Sequence, residues 1–238
     1  MIRYAIAALL LTLSTTAVAD DFEFNPATTQ QDFNAIVQDV TAALNFKALH
    51  PAETNGITGF GIAATASYTP TERGGAWRRA SGSSVDELGM VGIKAVKGLP
   101  LGFDVGAFFT AVPGTDARLL GGEIRYAVLD GGVAKPAISI RAALTRMSGV
   151  DDFDFETRNL DISISKGFAL ITPYAGIGQV WGDAETKGSF GAAVSDSDTQ
   201  ETRTFIGARL GLGILDITPE YERIGDNESY NLLIGLSI

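Results

Sequence analysis

Histidine occurs once in this chain, at position 50, directly before Pro51. A lone histidine acts as a general base only when a nucleophile and an orienting acid stand beside it. His50 falls between a helical stretch and the first strand, so a solvated or capping role is expected and no catalytic residue is assigned. Cysteine is absent, which removes both disulfides and thiolate metal ligands. The run Asp151-Asp152-Phe153-Asp154-Phe155-Glu156 is rich enough in oxygen to approach calcium, yet it lacks the glycine and ligand spacing of an EF-hand. It reads as a solvated acidic loop, and Asp196, Asp198 and Glu201 carry the same ambiguity. Gly59-x-Gly61 has no helix after it, so a dinucleotide reading fails. No metal, cofactor or enzymatic activity is assigned. Arg73, Arg78 and Arg79 surround Trp77, a set of types suited to phosphate oxygens with an aromatic resting at an interface. An ordinary loop with a few positive charges is the alternative.

A second set of charged residues owes its meaning to the elements that carry it. From Ile57 onward apolar residues recur at every second position, the period of a strand with one apolar face. Ten candidate strands follow: 57–68, 88–97, 101–111, 118–129, 137–147, 156–166, 170–181, 203–213, 215–224 and 230–238. Most have the roughly 9 to 11 residues that a tilted strand needs to cross a bilayer. Opposite the apolar faces stand Lys94, Asp104, Glu123, Arg125, Arg141, Asp161, Arg209, Glu220 and Glu222, four basic and five acidic. Antiparallel neighbours face one another when their numbers sum to about twice the centre of the turn. On that arithmetic Asp104 meets Arg125, Arg141 meets Asp161, and Arg209 meets Glu220. Balanced pairs favour a zipped interior over a water-filled pore, since an unpaired charge in a low-dielectric space is costly.

The ends of the chain fit a barrel in a membrane. Tyr230, Leu232, Ile234, Leu236 and Ile238 alternate up to the last residue, and a terminal apolar strand is covered if lipid meets its face and the first strand its edge. Residues 1–19 have a charged start at Arg3, an apolar stretch from Ile6 to Leu13 and a small-x-small site at Ala17-Val18-Ala19, the pattern of a cleaved export signal. Removing Arg3 would take the formal net charge from −10 to −11, which disfavours nucleic acid as a partner. Residues 20–55 differ in kind. Thr28 or Thr29 caps a helix to about Phe46, with Phe33, Ile36, Val37, Val40 and Leu44 on one stripe and Gln31, Asp32, Gln38 and Asp39 opposite. Pro51 and Gly56 break the chain before the barrel, residues 56–238.

Connections alternate in length. Tight turns join strands 2 and 3, 6 and 7, and 8 and 9, while long polar loops span 69–87 and 182–202. With the N terminus in the periplasm, tight turns become periplasmic and long loops external.

The terminal alternation resembles the assembly signal of bacterial outer-membrane β-barrels, and the whole resembles the small OmpA/OmpX/opacity-protein kind. That resemblance implies an all-β, antiparallel, up-and-down transmembrane barrel of about ten strands with an N-terminal amphipathic helix, in the outer membrane of a Gram-negative cell envelope. Its implied partners are membrane lipid, lipopolysaccharide at Arg73, Trp77, Arg78 and Arg79, and the barrel-insertion machinery through Tyr230–Ile238. The expected function is a non-enzymatic scaffold or surface-binding protein with a largely closed lumen. The alternatives are porin-like passage of a small or hydrophobic solute gated by the helix and, more weakly, a lipid-modifying enzyme.

Overall fold

The computed structural model describes residues 24–25, 27–132 and 135–237. The export-signal pattern of residues 1–19 and the terminal Ile238 lie outside them. Ten antiparallel strands close into one barrel in simple sequence order, with the last strand pairing the first. They are β1 (Phe60–Pro70), β2 (Glu87–Gly98), β3 (Phe103–Ala111), β4 (Arg118–Leu129), β5 (Ala137–Ser148), β6 (Phe153–Ser165), β7 (Ile171–Thr186), β8 (Ser197–Leu212), β9 (Leu215–Ile224) and β10 (Asn227–Ser237). Register at the seam runs from Gly61 opposite Ser237 to Tyr68 opposite Tyr230.

Alternation sorts the side chains as the period requires. Ile62, Ile93, Phe109, Ile124, Ile140, Ile162, Ile206 and Leu236 lie exposed on the outer wall, while Lys94, Phe108, Arg125, Arg141, Asp161 and Phe205 are buried inside. Ile93 at 57% and Leu120 at 65% exposure are typical of a wall whose apolar face meets no protein. In strand β7, Ile171 and Ile177 point outward and Tyr174 and Val180 inward. Aromatic residues mark both margins. Tyr68, Tyr230 and Tyr221 stand side by side on β1, β10 and β9, and Phe103 packs on Tyr126 at 4.8 Å toward the opposite rim.

The two rims differ. One carries the tight turns 99–102, 166–170 and 213–214; the other carries 71–86 and 187–196. A further tight turn, 225–226, sits on the long-loop rim, so not every tight turn falls on one side. Both expected long loops are largely ordered. Helix α2 (Gly74–Ser81) fills much of the first, and strand pairing from Ala184–Ser197 downward takes up much of the second.

Helix α1 (Gln30–Ala43) begins at Thr29, whose hydroxyl accepts from the Asp32 amide at 3.2 Å. It ends three residues before the expected Phe46 because side chains take its last carbonyls: Asn45 Nδ2 donates to Thr41 and Ala42, and Lys47 Nζ to Ala42 at 2.8 Å. Most of the helix and of the following residues to Pro51 and Ala52 is buried inside the barrel, with Gln31 and Asn34 of its first turns exposed. Its start lies at the long-loop rim, where Asn25 N donates to Ala80 O and Phe24 N to Asp152. This reverses the expected direction, in which the N-terminal segment approached from the tight-turn side. An amphipathic stripe says which face is covered and carries no information about the end of the barrel through which the segment runs.

Candidate functional site

The lumen is the site, and its chemistry is that of a charged wall folded around an internal peptide. A chain of alternating charges circles the interior. Lys94 meets Glu123 at 3.0 Å, Glu123 meets Arg141 at 3.2 Å, and Arg141 meets Asp161. Asp161 meets Arg203 at 3.1 Å, Arg203 meets Glu222 at 2.6 Å, and Glu222 meets Lys47 of the internal segment at 2.5 Å. Every carboxylate in this chain touches two cations, which offsets the desolvation that makes an isolated buried pair costly. Missing side chains make the connections possible. Glu123 on β4 crosses β3 to reach Lys94 on β2, passing where a Cβ on Gly106 would lie 2.8 Å from its Oε1. Asp161 likewise crosses β7 at Gly178, where a Cβ would lie 2.4 Å from its Oδ1, to reach Arg203 on β8.

Below α1 the segment is extended, so its backbone has no ladder of its own and the wall supplies partners. Lys94 donates to Ala48 O at 2.7 Å, Asn159 to Phe46 O at 3.1 Å and Arg125 to Pro51 O at 2.8 Å. Glu220 accepts from Leu49 N at 2.8 Å, Ser165 from Ala52 N at 3.1 Å, and Asp104 from Asn55 N. Phe46 inserts edge-on against Phe108 at 4.4 Å with the Lys94 ammonium over its ring. His50 is held within this segment, its Nδ1 2.8 Å from Pro51 O and 2.6 Å from Arg125. It stands toward the tight-turn end of the lumen, and its described partners are a backbone carbonyl and a guanidinium.

Of the expected pairs, Asp104–Arg125 and Arg141–Asp161 form. Arg209 and Glu220 do not. Register between β8 and β9 places Gly207 opposite Glu220, two residues from the expected partner, because the turn is the pair 213–214, with Gly213 at φ 80°, and its centre lies one residue earlier than expected. Arg209 reaches Glu53 of the internal segment at 3.5 Å instead, and Glu220 accepts from Tyr174, Leu49 and Asn231.

The upper end of α1 is anchored by α2. Asp39 is fully buried and accepts from Arg73 Nη1 at 2.7 Å, Trp77 Nε1 at 2.9 Å and Asn227 Nδ2 at 2.8 Å. Asp32 accepts two bonds from Arg79, and that guanidinium holds its carboxyl below the usual carboxylate range. The expected lipopolysaccharide set is thus divided. Trp77 is buried against the helix and its indole does not reach a membrane interface, Arg73 is turned inward to Asp39, and only Arg78 and Arg79 lie exposed. The sequence places Asp32 and Asp39 opposite the apolar stripe and assigns them no partner. The available signal was complementarity, two acids seven residues apart on a helix and three arginines in one loop. Arg203 was missed although it shares the parity of Arg209. In the 151–156 run, Phe153 and Phe155 are buried, Asp154 meets Lys187, and Glu156 meets Arg146 and Arg158. Among the described residues no group of three or more acids and histidines is arranged to hold a metal.

No family model matches the chain, and no curated protein matches it. Solved structures do. The loop L8 deletion mutant of OmpT, an outer membrane protein of Vibrio cholerae, is 10% identical over 64% of this chain and 54% of that one, with a TM-score of 0.34. The chain therefore spans about half the length of that protein. Ail, the attachment invasion locus protein of Yersinia pestis, is 12% identical over 76% of this chain and 97% of that one, at 0.33. OprG from Pseudomonas aeruginosa is 10% identical over 79% and 99%, at 0.35. On its own closed ten-strand topology, with an apolar wall outside and charge inside, the chain has the up-and-down architecture of outer-membrane β-barrels.

Proposed function

We propose that this protein is a plugged, non-enzymatic outer-membrane barrel, closed to passive diffusion, that presents its long-loop rim and the start of α1 at the outer surface as a binding platform. One observation carries the reading: the apolar stripe of α1 and all of residues 39–49 are buried within the barrel, and the segment is tied to the wall by the charged chain ending at Lys47. A peptide so bound leaves no continuous path for a solute. The apolar outer wall supports residence in a bilayer, and the terminal strand, which closes the seam, supports recognition of its end by the insertion machinery. Contact with lipopolysaccharide would fall to Arg78 and Arg79, the exposed members of the basic loop.

The test is single-channel conductance of the refolded mature protein beside a form lacking residues 20–50. A silent intact protein and a conducting deletion are expected. Stable conductance by the intact protein would overturn the closed-barrel reading and favour a pore with the helix as gate.

A further inference from the structure

The long-loop rim contains a feature that the plug does not use. Between α1, α2 and the β3–β4 turn lies a pocket of about 180 Å³. Its floor is Val40 of α1, Leu44 at the helix end, Trp77, Phe153 and Met147, all buried. Val85, Leu88 and Pro113 form a more exposed mouth, and of the charged residues in the chain only Glu87 lines it.

The opening has a structural cause. Pairing between β2 and β3 stops at Val91–Ala111, but β2 continues to Glu87 bonded only to β1. The β3–β4 connection turns back at once, with Val112 N donating to Ala117 O. The rim is therefore low beside the upper end of β2, and the apolar floor is reached through this notch.

An apolar cavity of roughly 150 Å³ stays dry and takes up benzene. A space of 180 Å³ with an aromatic, thioether and aliphatic floor is large enough for the same class of guest. We propose that this pocket binds a small apolar hydrocarbon group, either a free single-ring or short-chain molecule or the end of a lipid acyl chain. The polar groups at the mouth are too few to recognise a charged or sugar-like ligand. The proposal goes beyond the closed-barrel reading and does not depend on it, since a conducting barrel would keep the same notch.

The chain allows a direct test because it has three methionines: Met1 in the export signal, Met147 in the pocket floor, and Met90 outside it. The full mature protein, labelled with carbon-13 at the methionine methyls and held in lipid nanodiscs, is titrated with toluene. A second sample contains lipid spin-labelled near the acyl end. A saturable shift of Met147 with Met90 unmoved supports the site with a free hydrocarbon as guest. Selective broadening of Met147 by the labelled lipid, relieved by toluene, supports it with an acyl chain as guest. Leu88→Trp fills the mouth and should weaken toluene binding at least about tenfold, with an unchanged gel shift between folded and unfolded forms reporting an intact fold. Absence of any Met147 response in the unsubstituted protein, or parallel unsaturable drift of both methyls, overturns the proposal whatever the variant does. Conductance is a separate readout, so failure here leaves the plugged-barrel reading standing.

Discussion

Arg203 shows how a buried charge is kept in this lumen. Its side chain is fully buried and lies between Asp161 and Glu222, each of which also holds a second cation. Arg203→Met would leave both carboxylates under-compensated, and breaking one member of a buried pair costs roughly 3 to 5 kcal/mol. The expected outcome is a lower denaturation midpoint in detergent, read from the gel shift between folded and unfolded forms, and a smaller loss for Arg158→Met, whose partners lie on the exposed wall. Residue-level pairing was legible in the sequence where a turn fixes the alignment, as at Asp104–Arg125 and Arg141–Asp161. It was not legible at Arg209, where a turn centre one residue earlier moves the partner by two, nor at Lys47, whose partner Glu222 is 175 residues away. Strand arithmetic cannot see a contact made by a segment outside the sheet.

At the scale of elements, α1 is seated by absence as much as by contact. A Cβ on Gly182 of β7 would fall 2.0 Å from Thr41 Oγ1 and 3.0 Å from its Cβ, so helix and wall touch backbone to side chain. Gly182→Ala is expected to unseat the helix and raise conductance, and adding Thr41→Ala, which removes the nearest atoms, should restore most of the closure. Equal conductance in the single and double variants would show that this contact does not hold the plug. The upper anchor gives a pH dependence. Because Arg79 holds the Asp32 carboxyl below its ordinary value, the stabilisation is present above the ordinary carboxylate range and is lost as pH falls through the lowered value. Protease cleavage in the α2 loop is therefore expected to rise on acidification, and Arg79→Ala should cleave readily at neutral pH with a flatter profile. Periodicity revealed the helix and its stripe. It could not reveal that Asp32 and Asp39 of the polar face are covered too, because a stripe reports contrast between faces and Asp39 is buried among donors that neutralise the contrast.

For the whole molecule, the direction of the internal segment sets which side its start faces. If the long-loop rim faces outward, an epitope inserted directly before Phe24 should bind antibody on intact cells, and the same epitope placed in the 213–214 turn should bind only after the membrane is opened. Reversed labelling would invert the orientation. The closed barrel was legible as a whole because alternation over ten segments and an even return of the chain are redundant signals, so a boundary error of a few residues at β6, β7 or β8 left topology untouched.

The seam between β1 and β10 joins the earliest strand of the chain to the last, and the plug lies within the loop that this seam shuts. If the plug is in place before the seam shuts, the first-made part of the polypeptide serves as a mandrel until the last-made strand arrives, and the wall is wound around it. Removing residues 20–50 should then do more than open a hole. It should slow or scatter closure, leaving a fraction of molecules with an unzipped β1–β10 edge, measurable as a delayed appearance of the compact gel form during refolding.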